Sequence, residues 1–521
     1  MLEVLKAWGI RNIYGVAGNA VLGFLAALGQ QDEVRFWATA TEQGAAFMAG
    51  GEARVTGCPA ICLATEGPGA LNLVNGVADA WRDGLPMLII TGQVDTAKIS
   101  SNVKQYFNQQ ALFAPITGST TLLTRPESTM AVFTAALERA VGDRLPCHVA
   151  VPADIFTTPA AYGPAGSPAQ PAPPPVYGDF AGATRVLQSS QRPILLAGRV
   201  AVPHREKVWH LADRLGAGII PGQGARAIFP GAAELVIGGL GEAHIPPLLT
   251  EADCVILVGA SPYEEKFIPA GVQVVQVDLR PQNIAHSLRP LPLTGDVGLL
   301  LERLLQDLPR TRPAEVWRTK IANCHRDYRA MIGAEAGLSG KPIPPPRVVA
   351  VLNDILPEDA VITIDSGEFM HWFDRGFIAK RQEVLISENW RCMGCALPFG
   401  LGAQLANPRR KVVVLTGDGG FLMTMPEILT AVRYALPVSI IIFNNGGYAL
   451  EKHRMENKGW PPFGVDVQQP DFVSPAKACG ATGLRVEEPA DLGDVLKGAI
   501  AADHPVVVDV PVSADKPLFL A

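Results

Sequence analysis

Long apolar runs are missing from this chain of 521 residues. The longest, such as "PMLII" and "SIIIF", fall far short of the ~20 residues a membrane helix needs. No Lys/Arg-rich run occurs either. Lys and Arg number 44 against 50 Asp and Glu, a net charge of −6, so no basic surface is offered to nucleic acid. Cysteine is sparse, eight residues mostly set in apolar strings, which fits reduced thiols and a cytoplasmic setting. Cys392 and Cys395 form a C-x-x-C without a second pair at zinc-finger spacing, so buried structural thiols are expected there. The opening "MLEVLKAWGI" reads as an amphipathic helix and lacks a signal peptide's charged start and small-residue cleavage site. No G-x-G-x-x-G follows the first strand with an acidic residue about twenty positions on, which argues against a nicotinamide dehydrogenase.

What is present is the composition of a globular enzyme, 48% hydrophobic and 18% charged. The length is too great for one core and suggests three domains. Residues 1–157 alternate helical stretches ("AAFMAGGEARVT") with short buried strands ("PAICLAT", "PMLIITG", "CHVAVPADI"). A segment dense in Pro, Ala and Gly follows at 158–177 and reads as an extended linker. Residues 178–308 hold "RPILLAG", "GAGIIPG", "DCVILVGA" and "VQVVQVDL", again strands alternating with helices. A second linker, 309–345, ends in "GKPIPPPR", and 346–521 form the last block. The fold class expected is α/β, with three doubly wound parallel-sheet domains.

The last block carries the most informative stretch, "GDGGFLMTMPEILTAVRYALPVSIIIFNNGGY" at 417–448. "KVVVLTGD" and "PVSIIIFNN" are β-branched runs ending on Asp418 and Asn445. Between them Ile428, Leu429, Val432 and Leu436 recur at helical spacing. Strand, helix and strand then form a parallel crossover, and neighbouring strands lie about 4.8 Å apart. Asp418 and Asn445 would emerge side by side at the carboxyl ends, where open α/β sheets bind ligands. One carboxylate and one amide oxygen cage a bare cation poorly. They suit Mg²⁺, which keeps waters and takes oxygens from a bound phosphate. Gly446 and Gly447 let the backbone approach closely enough to add a carbonyl.

With this stretch, "TEQGAAFMAGGEARVTGCPAICLATEGPGALNLVNGVADAWRDGLPMLIITGQ" (41–93) and "WRCMGCALPFGLGAQLANP" (390–408) resemble the thiamine diphosphate (ThDP)-dependent enzymes. That family includes pyruvate oxidase, acetolactate synthase and the 2-oxo-acid decarboxylases. "VGASPYEEKFIPAGVQVVQVDLRPQNIAHS" resembles the middle domain of the pyruvate oxidases, and the likeness covers nearly the whole chain. It implies a pyrimidine domain at 1–157, a middle domain at 178–308 and a diphosphate domain at 346–521. It implies that Glu42 hydrogen-bonds N1′ of the aminopyrimidine, where a carboxyl that exchanges a proton favours the imino tautomer whose 4′ nitrogen acts as base. Asn72 belongs to the same cofactor set. Met393 matches the bulky residue that props thiamine in a V shape. Asp418, Asn445 and the Gly447 carbonyl match the Mg²⁺ ligands. Ser366, Gly367, Gly417, Gly419, Gly420 and Tyr448 fall where the cofactor is held. Glu368 is unusual beside phosphate oxygens and must turn away, pair or be protonated. Glu66 stands where the family commonly has Ser, as a surface charge or as a change in site electrostatics.

For the substrate the resemblance points in two directions. "YGVAGNAV" places Asn19 where decarboxylases often carry Asp. "KQYFNQQALF" resembles a Phe-Gln loop of pyruvate oxidase and acetolactate synthase, and offers Phe107, Asn108 and Gln109 as pocket residues. "GGYALEKH" puts Glu451 where pyruvate and indolepyruvate decarboxylases have an active-site glutamate. His371, His453 and Arg454 are candidates for a carboxylate, although a satisfied or exposed role is the commoner one for each. The implied reaction adds the ThDP carbanion to a 2-oxo acid and releases CO₂, leaving an enamine. Release as aldehyde or transfer to a second carbonyl is the expected outcome, largely from Glu451. The alternative passes electrons to FAD, motivated by "GQGA" at 222–225, the turn near Gly259 and Asp278. A catalytically inert subunit of the same fold is a third reading, against which the joint presence of Glu42, Asp418 and Asn445 argues. The resemblance further implies a homodimer or homotetramer with active sites between subunits.

Overall fold

The computed structural model describes residues 1–159, 173–260, 262–309, 315–467 and 471–517. Most of the linker expected at 158–177, and the first part of that expected at 309–345, lie outside these residues, as does Ser261 of the "VGASP" turn.

Three six-stranded sheets organise the chain. The first contains β1 (Asn12–Gly15), β2 (Arg35–Ala38), β3 (Ala60–Ala64), β4 (Met87–Gln93), β5 (Ser119–Leu122) and β6 (Pro146–Pro152), in the order 2-1-3-4-6-5 and parallel throughout. The second contains β7 (Tyr177–Gly178), β8 (Pro193–Ala197), β9 (Gly218–Pro221), β10 (Cys254–Val258), β11 (Gln273–Asp278) and β12 (Leu291–Thr294), in the order 7-12-11-10-8-9. Its two-residue edge strand β7 is antiparallel, and the other pairings are parallel. The third contains β13 (Val361–Ile364), β14 (Glu383–Ile386), β15 (Val412–Gly417), β16 (Val438–Asn444), β17 (Thr482–Arg485) and β18 (Val506–Pro511). Its order, 14-13-15-16-18-17, repeats that of the first sheet strand for strand. Runs such as "CVILV" in β10 are buried at every position, as expected of strands covered by helices on both faces. Among the described residues no helix is long and apolar enough to cross a membrane.

The first and third domains share a core. One apolar cluster runs from Tyr14 and Ile89 through Leu401 and Phe421 to Val507. Its hinge is the crossing of the helices Glu42–Thr56 and Ala396–Ala406. A Cβ on Gly402 would lie 1.9 Å from the Met48 carbonyl oxygen, and one on Gly51 would lie 2.2 Å from that of Phe399. Backbone meets backbone, so neither site has a side-chain end that could swing aside. Gly402→Val is expected to destabilise the chain by about 2–3 kcal/mol through overpacking, read as a lower thermal midpoint. An unchanged midpoint would show that the crossing is looser than this.

All three domains meet at a buried ionic cluster. Arg54 pairs with Asp79 at 2.8 Å and Asp83 at 2.6 Å, and its guanidinium lies 4.2 Å over the Phe399 ring. The Asp83 carboxylate also accepts the backbone N–H of Glu388 and Asn389, at 3.1 and 3.0 Å. Arg199, from the middle domain, pairs with Glu388 at 3.4 Å.

The crossover after β15 departs from the single helix that the spacing predicts. It is split into Asp418–Thr424 and Glu427–Arg433 around Met425 and Pro426. Ile428 is fully buried, but Leu429 is 48% exposed, so that helix turns part of its apolar stripe outward.

Candidate active site

The β15–β16 pairing is parallel, with Gly417 opposite Phe443, so Asp418 and Asn445 leave adjacent strand ends. One Asp418 carboxylate oxygen accepts the Gly419 N–H at 2.8 Å and the other accepts the Gly446 N–H at 2.7 Å. Gly446 has φ of +79°, a left-handed turn that glycine adopts without penalty, and this turn aims its N–H at the acid. Burial raises the Asp418 pKa above the usual carboxylate value, and the backbone N–H groups oppose that rise. The Asn445 amide oxygen accepts the Gly447 N–H at 3.2 Å, while its nitrogen donates to Glu368 at 3.1 Å. Tyr448 lies against Gly419, where a Cβ would fall 2.5 Å from the tyrosine ring.

Behind this pair, at the end of β13, sits Asp365, whose importance the sequence did not signal. One of its oxygens accepts the Gly394 N–H at 2.8 Å and the Thr416 hydroxyl at 3.0 Å, and the other takes the Cys395 N–H at 3.2 Å. Burial pushes it up to about 6. It thereby fixes the turn that presents half-buried Met393. Cys392 and Cys395 are free thiols whose pKa values burial raises, to about 12 for Cys392, so both are poor thiolates. Next in the chain, Ser366 Oγ is buried with no hydrogen-bond partner. Glu368 takes the second of the fates expected of it: it is 4% exposed and pairs with Trp372 and Asn445, while burial pushes its pKa up to about 7.

In the first domain, Glu42 opens the Glu42–Thr56 helix and accepts from the Asn72 amide at 3.0 Å. Thr41 caps this helix through Gly44 N–H at 2.9 Å. Fully buried Glu427, from the third domain, grips the same turn: it accepts Thr41 N–H at 3.0 Å, the Thr41 hydroxyl at 2.9 Å and Ala40 N–H at 3.2 Å. No local pattern in "TMPEIL" marks this residue. Among the described residues no hydrogen bond or ion pair joins Glu42 or Asn72 to the Asp418 cluster of the same chain.

The structure places the other candidate residues as follows. Gln109 is fully buried, its nitrogen donating to the Gly92 carbonyl at 2.8 Å and its oxygen accepting from Thr91 at 2.5 Å. Both ends of the amide are spent inside the first domain, which removes it from any pocket. Asn108 caps the Gln109–Phe113 helix by accepting Ala111 N–H at 3.0 Å and is exposed. Asn19 is exposed at the head of a short 3₁₀ turn. Phe107 is half-buried, and its carbonyl accepts from Gln93 at 3.1 Å. Glu451 is exposed and paired with Arg454 at 3.0 Å. Glu66 is 5% exposed and hydrogen-bonded by Thr65, so it is not a surface charge of the chain. His371 is buried and pushed down to about 3 by desolvation, so it is neutral and makes no cation for a carboxylate. His453 is also buried, with Nδ1 3.2 Å from Glu456.

Beside His371 lies Asp374, pushed up to about 7 by burial and hydrogen-bonded by Gln223 of the middle domain. A carboxyl raised in the folded state stabilises the fold below its unfolded value near 4, and that contribution is lost as the pH rises through about 7. Asp374→Asn, uncharged throughout, is therefore expected to gain on the wild type between pH 5 and 8, by about 1–3 kcal/mol across the interval. Denaturant midpoints across that range check this, and a constant difference would contradict the buried-carboxyl assignment.

Three family models match the chain. They are the N-terminal TPP binding domain (residues 1–112), the central domain (180–304) and the C-terminal TPP binding domain (365–510) of thiamine pyrophosphate enzymes. The catabolic acetolactate synthase of Raoultella terrigena is 31% identical, over 100% of this chain and 96% of its own. The chain belongs to the thiamine pyrophosphate enzyme family. An acetolactate synthase of Bacillus subtilis (strain 168) is 29% identical over 100% of this chain and 94% of its own. The pyruvate oxidase of Lactiplantibacillus plantarum is 26% identical over 99% and 89%. As a member of that family the chain has a donor set that fits the coenzyme. The orphaned Ser366 hydroxyl and the uncapped N–H groups that start the helix Glu368–Gly376 suit phosphate oxygens. Among the described residues no group of three or more His, Cys, Asp or Glu could hold a metal, so a cation at Asp418 and Asn445 would complete its shell with backbone, water or ligand oxygens.

Proposed function

We propose that this thiamine pyrophosphate enzyme binds ThDP with Mg²⁺ and decarboxylates a 2-oxo acid, the acyl fragment leaving as an aldehyde or joining a second carbonyl. The observation that carries the reading is the adjacency of Asp418 and Asn445 at paired strand ends, with Gly446 N–H bound to the acid. Asp418, the Asn445 amide oxygen and the Gly447 carbonyl hold the ion. Ser366, Gly367 and the turns at Gly417, Gly419 and Gly420 receive the diphosphate, with Tyr448 packed beside them. Met393 supports the thiamine, and Asp365 holds its turn.

When bound, ThDP supplies an acidic carbon and an electron sink for the departing CO₂. The chain's own contribution is proton management and exclusion of water. Glu42 would hold the proton shared with N1′ of the aminopyrimidine, and the Asn72 amide keeps its carboxylate in place. Glu427 fixes the turn from which Glu42 projects, so it is a positioning residue. Glu42 and Asp418 of one chain lie in separate domains. The family's arrangement joins them across subunits, and exposed Leu422, Met423 and Leu429 beside Asp418 offer an apolar face for such a dimer. The domain limits 1–157, 178–308 and 346–521 belong to the same reading.

Carboligation is favoured by the likeness to two acetolactate synthases over the whole chain. A flavin-dependent oxidation is the second reading, favoured by the likeness to a pyruvate oxidase. The middle domain gives it less support, because Gly198 and Gly259 pack backbone to backbone and one Asp278 oxygen already accepts from Arg280 N–H and Asn283 at 3.0 and 2.8 Å. Purified enzyme supplied with ThDP and Mg²⁺ should release CO₂ from one or more of a panel of 2-oxo acids, with aldehyde or hydroxyketone as co-product and no peroxide. EDTA should abolish this and Mg²⁺ restore it. No CO₂ from any 2-oxo acid, with ThDP shown to be bound, would reject the reading, and a flavin spectrum with peroxide would replace it by the second.

A further inference from the structure

We infer that Glu368 is a positioning residue that turns the Asn445 amide so that its oxygen, not its nitrogen, faces the divalent ion. The inference rests on the reading of Asp418 and Asn445 as ion ligands. An asparagine amide has two ends of nearly equal size, and only the oxygen can bind a cation. Left free, the side chain would present either end. In this chain the nitrogen donates to Glu368 Oε2 at 3.1 Å, and the oxygen accepts Gly447 N–H at 3.2 Å. A flipped amide would set oxygen against a carboxyl oxygen and N–H against N–H, two repulsive contacts in place of two hydrogen bonds.

Glu368 is itself held in place. Its Oε1 accepts the indole N–H of Trp372 at 2.6 Å, one turn along the Glu368–Gly376 helix. Glu368 is 4% exposed and Trp372 is 7% exposed, so neither has room to leave. The strand end after β13 thus orders the strand end after β16 before any ion arrives. A glutamine at 368 has one acceptor oxygen where the structure uses two, so it cannot serve Trp372 and Asn445 together.

The test titrates Mn²⁺, in place of Mg²⁺, into ThDP-saturated protein and reads free Mn²⁺ by electron paramagnetic resonance. Partners that orient metal ligands typically contribute 10–100-fold to affinity. Glu368→Gln is expected to weaken Mn²⁺ about tenfold, and Glu368→Ala at least as much, with unchanged circular dichroism for the isosteric Gln variant. Asn445→Asp supplies the decisive background, because a carboxylate has oxygen at both ends and needs no orienting. There, Glu368→Gln should cost less than twofold or improve binding by removing a neighbouring carboxyl. Mn²⁺ affinity within twofold of wild type in Glu368→Gln, or an equal loss in both backgrounds, would overturn the inference. Asp418→Ala separates it from its premise: if that variant binds Mn²⁺ normally the ion site itself is wrong. If Asp418→Ala loses Mn²⁺ and Glu368→Gln keeps it, only the role of Glu368 fails.

Discussion

Glu42→Gln is expected to cut turnover by about 10²–10⁴-fold, the usual span for a proton-transfer group, while the protein stays folded and still binds ThDP. The structure explains why the two effects should separate. The glutamine keeps an oxygen for the Asn72 amide, which now donates at 3.0 Å. The helix start does not depend on residue 42, because Thr41 caps it and Glu427 grips Ala40 and Thr41 from the third domain. What the amide cannot do is exchange a proton. Steady-state kinetics, with a thermal melt and a ThDP titration on the same sample, check this. Near-normal turnover would remove Glu42 from the mechanism.

The other large effect is expected at Asp418. Asp418→Ala should abolish the rise in melting temperature that ThDP and Mg²⁺ together give the wild type. A ligand at a hundred times its dissociation constant stabilises by about 2.7 kcal/mol, so the wild-type shift is readily measured. Alanine removes the carboxylate that accepts the Gly446 N–H and leaves that N–H without its acceptor. Asp418→Asn keeps one oxygen and should give an intermediate shift. A full ThDP-dependent shift in the alanine variant would contradict the assigned ion site.

The part of this architecture legible in the sequence is the part written locally. "KVVVLTG" and "PVSIIIFN" are buried at nearly every position and joined by a short helical connection, so their strand character and parallel pairing follow from composition and connection length alone. The Glu42–Thr56 helix is likewise written in its helical stretch "AAFMAGGEARVT". Residues whose roles depend on distant partners leave no such local mark. Gln109 looks like a loop residue, yet its amide closes on Thr91 and Gly92 of β4. Thr91 in turn meets His148 of β6 at 2.7 Å, a ring that burial pushes down to about 3. Glu427 carries no local signal, because its partners lie 386 and 387 positions earlier in the chain. Glu368 looked out of place beside phosphate because its partners, Trp372 and Asn445, cannot be paired with it from spacing. Periodicity reports which face of an element is buried and carries no information on which buried polar groups meet.

The most direct test is a crystal grown with ThDP and Mn²⁺ and measured at the manganese absorption edge. One anomalous peak within about 2.4 Å of an Asp418 carboxylate oxygen and the Asn445 amide oxygen, touching the diphosphate, is the result predicted here. ThDP bound with its metal elsewhere, or both side chains directed away from an empty cleft, would contradict it.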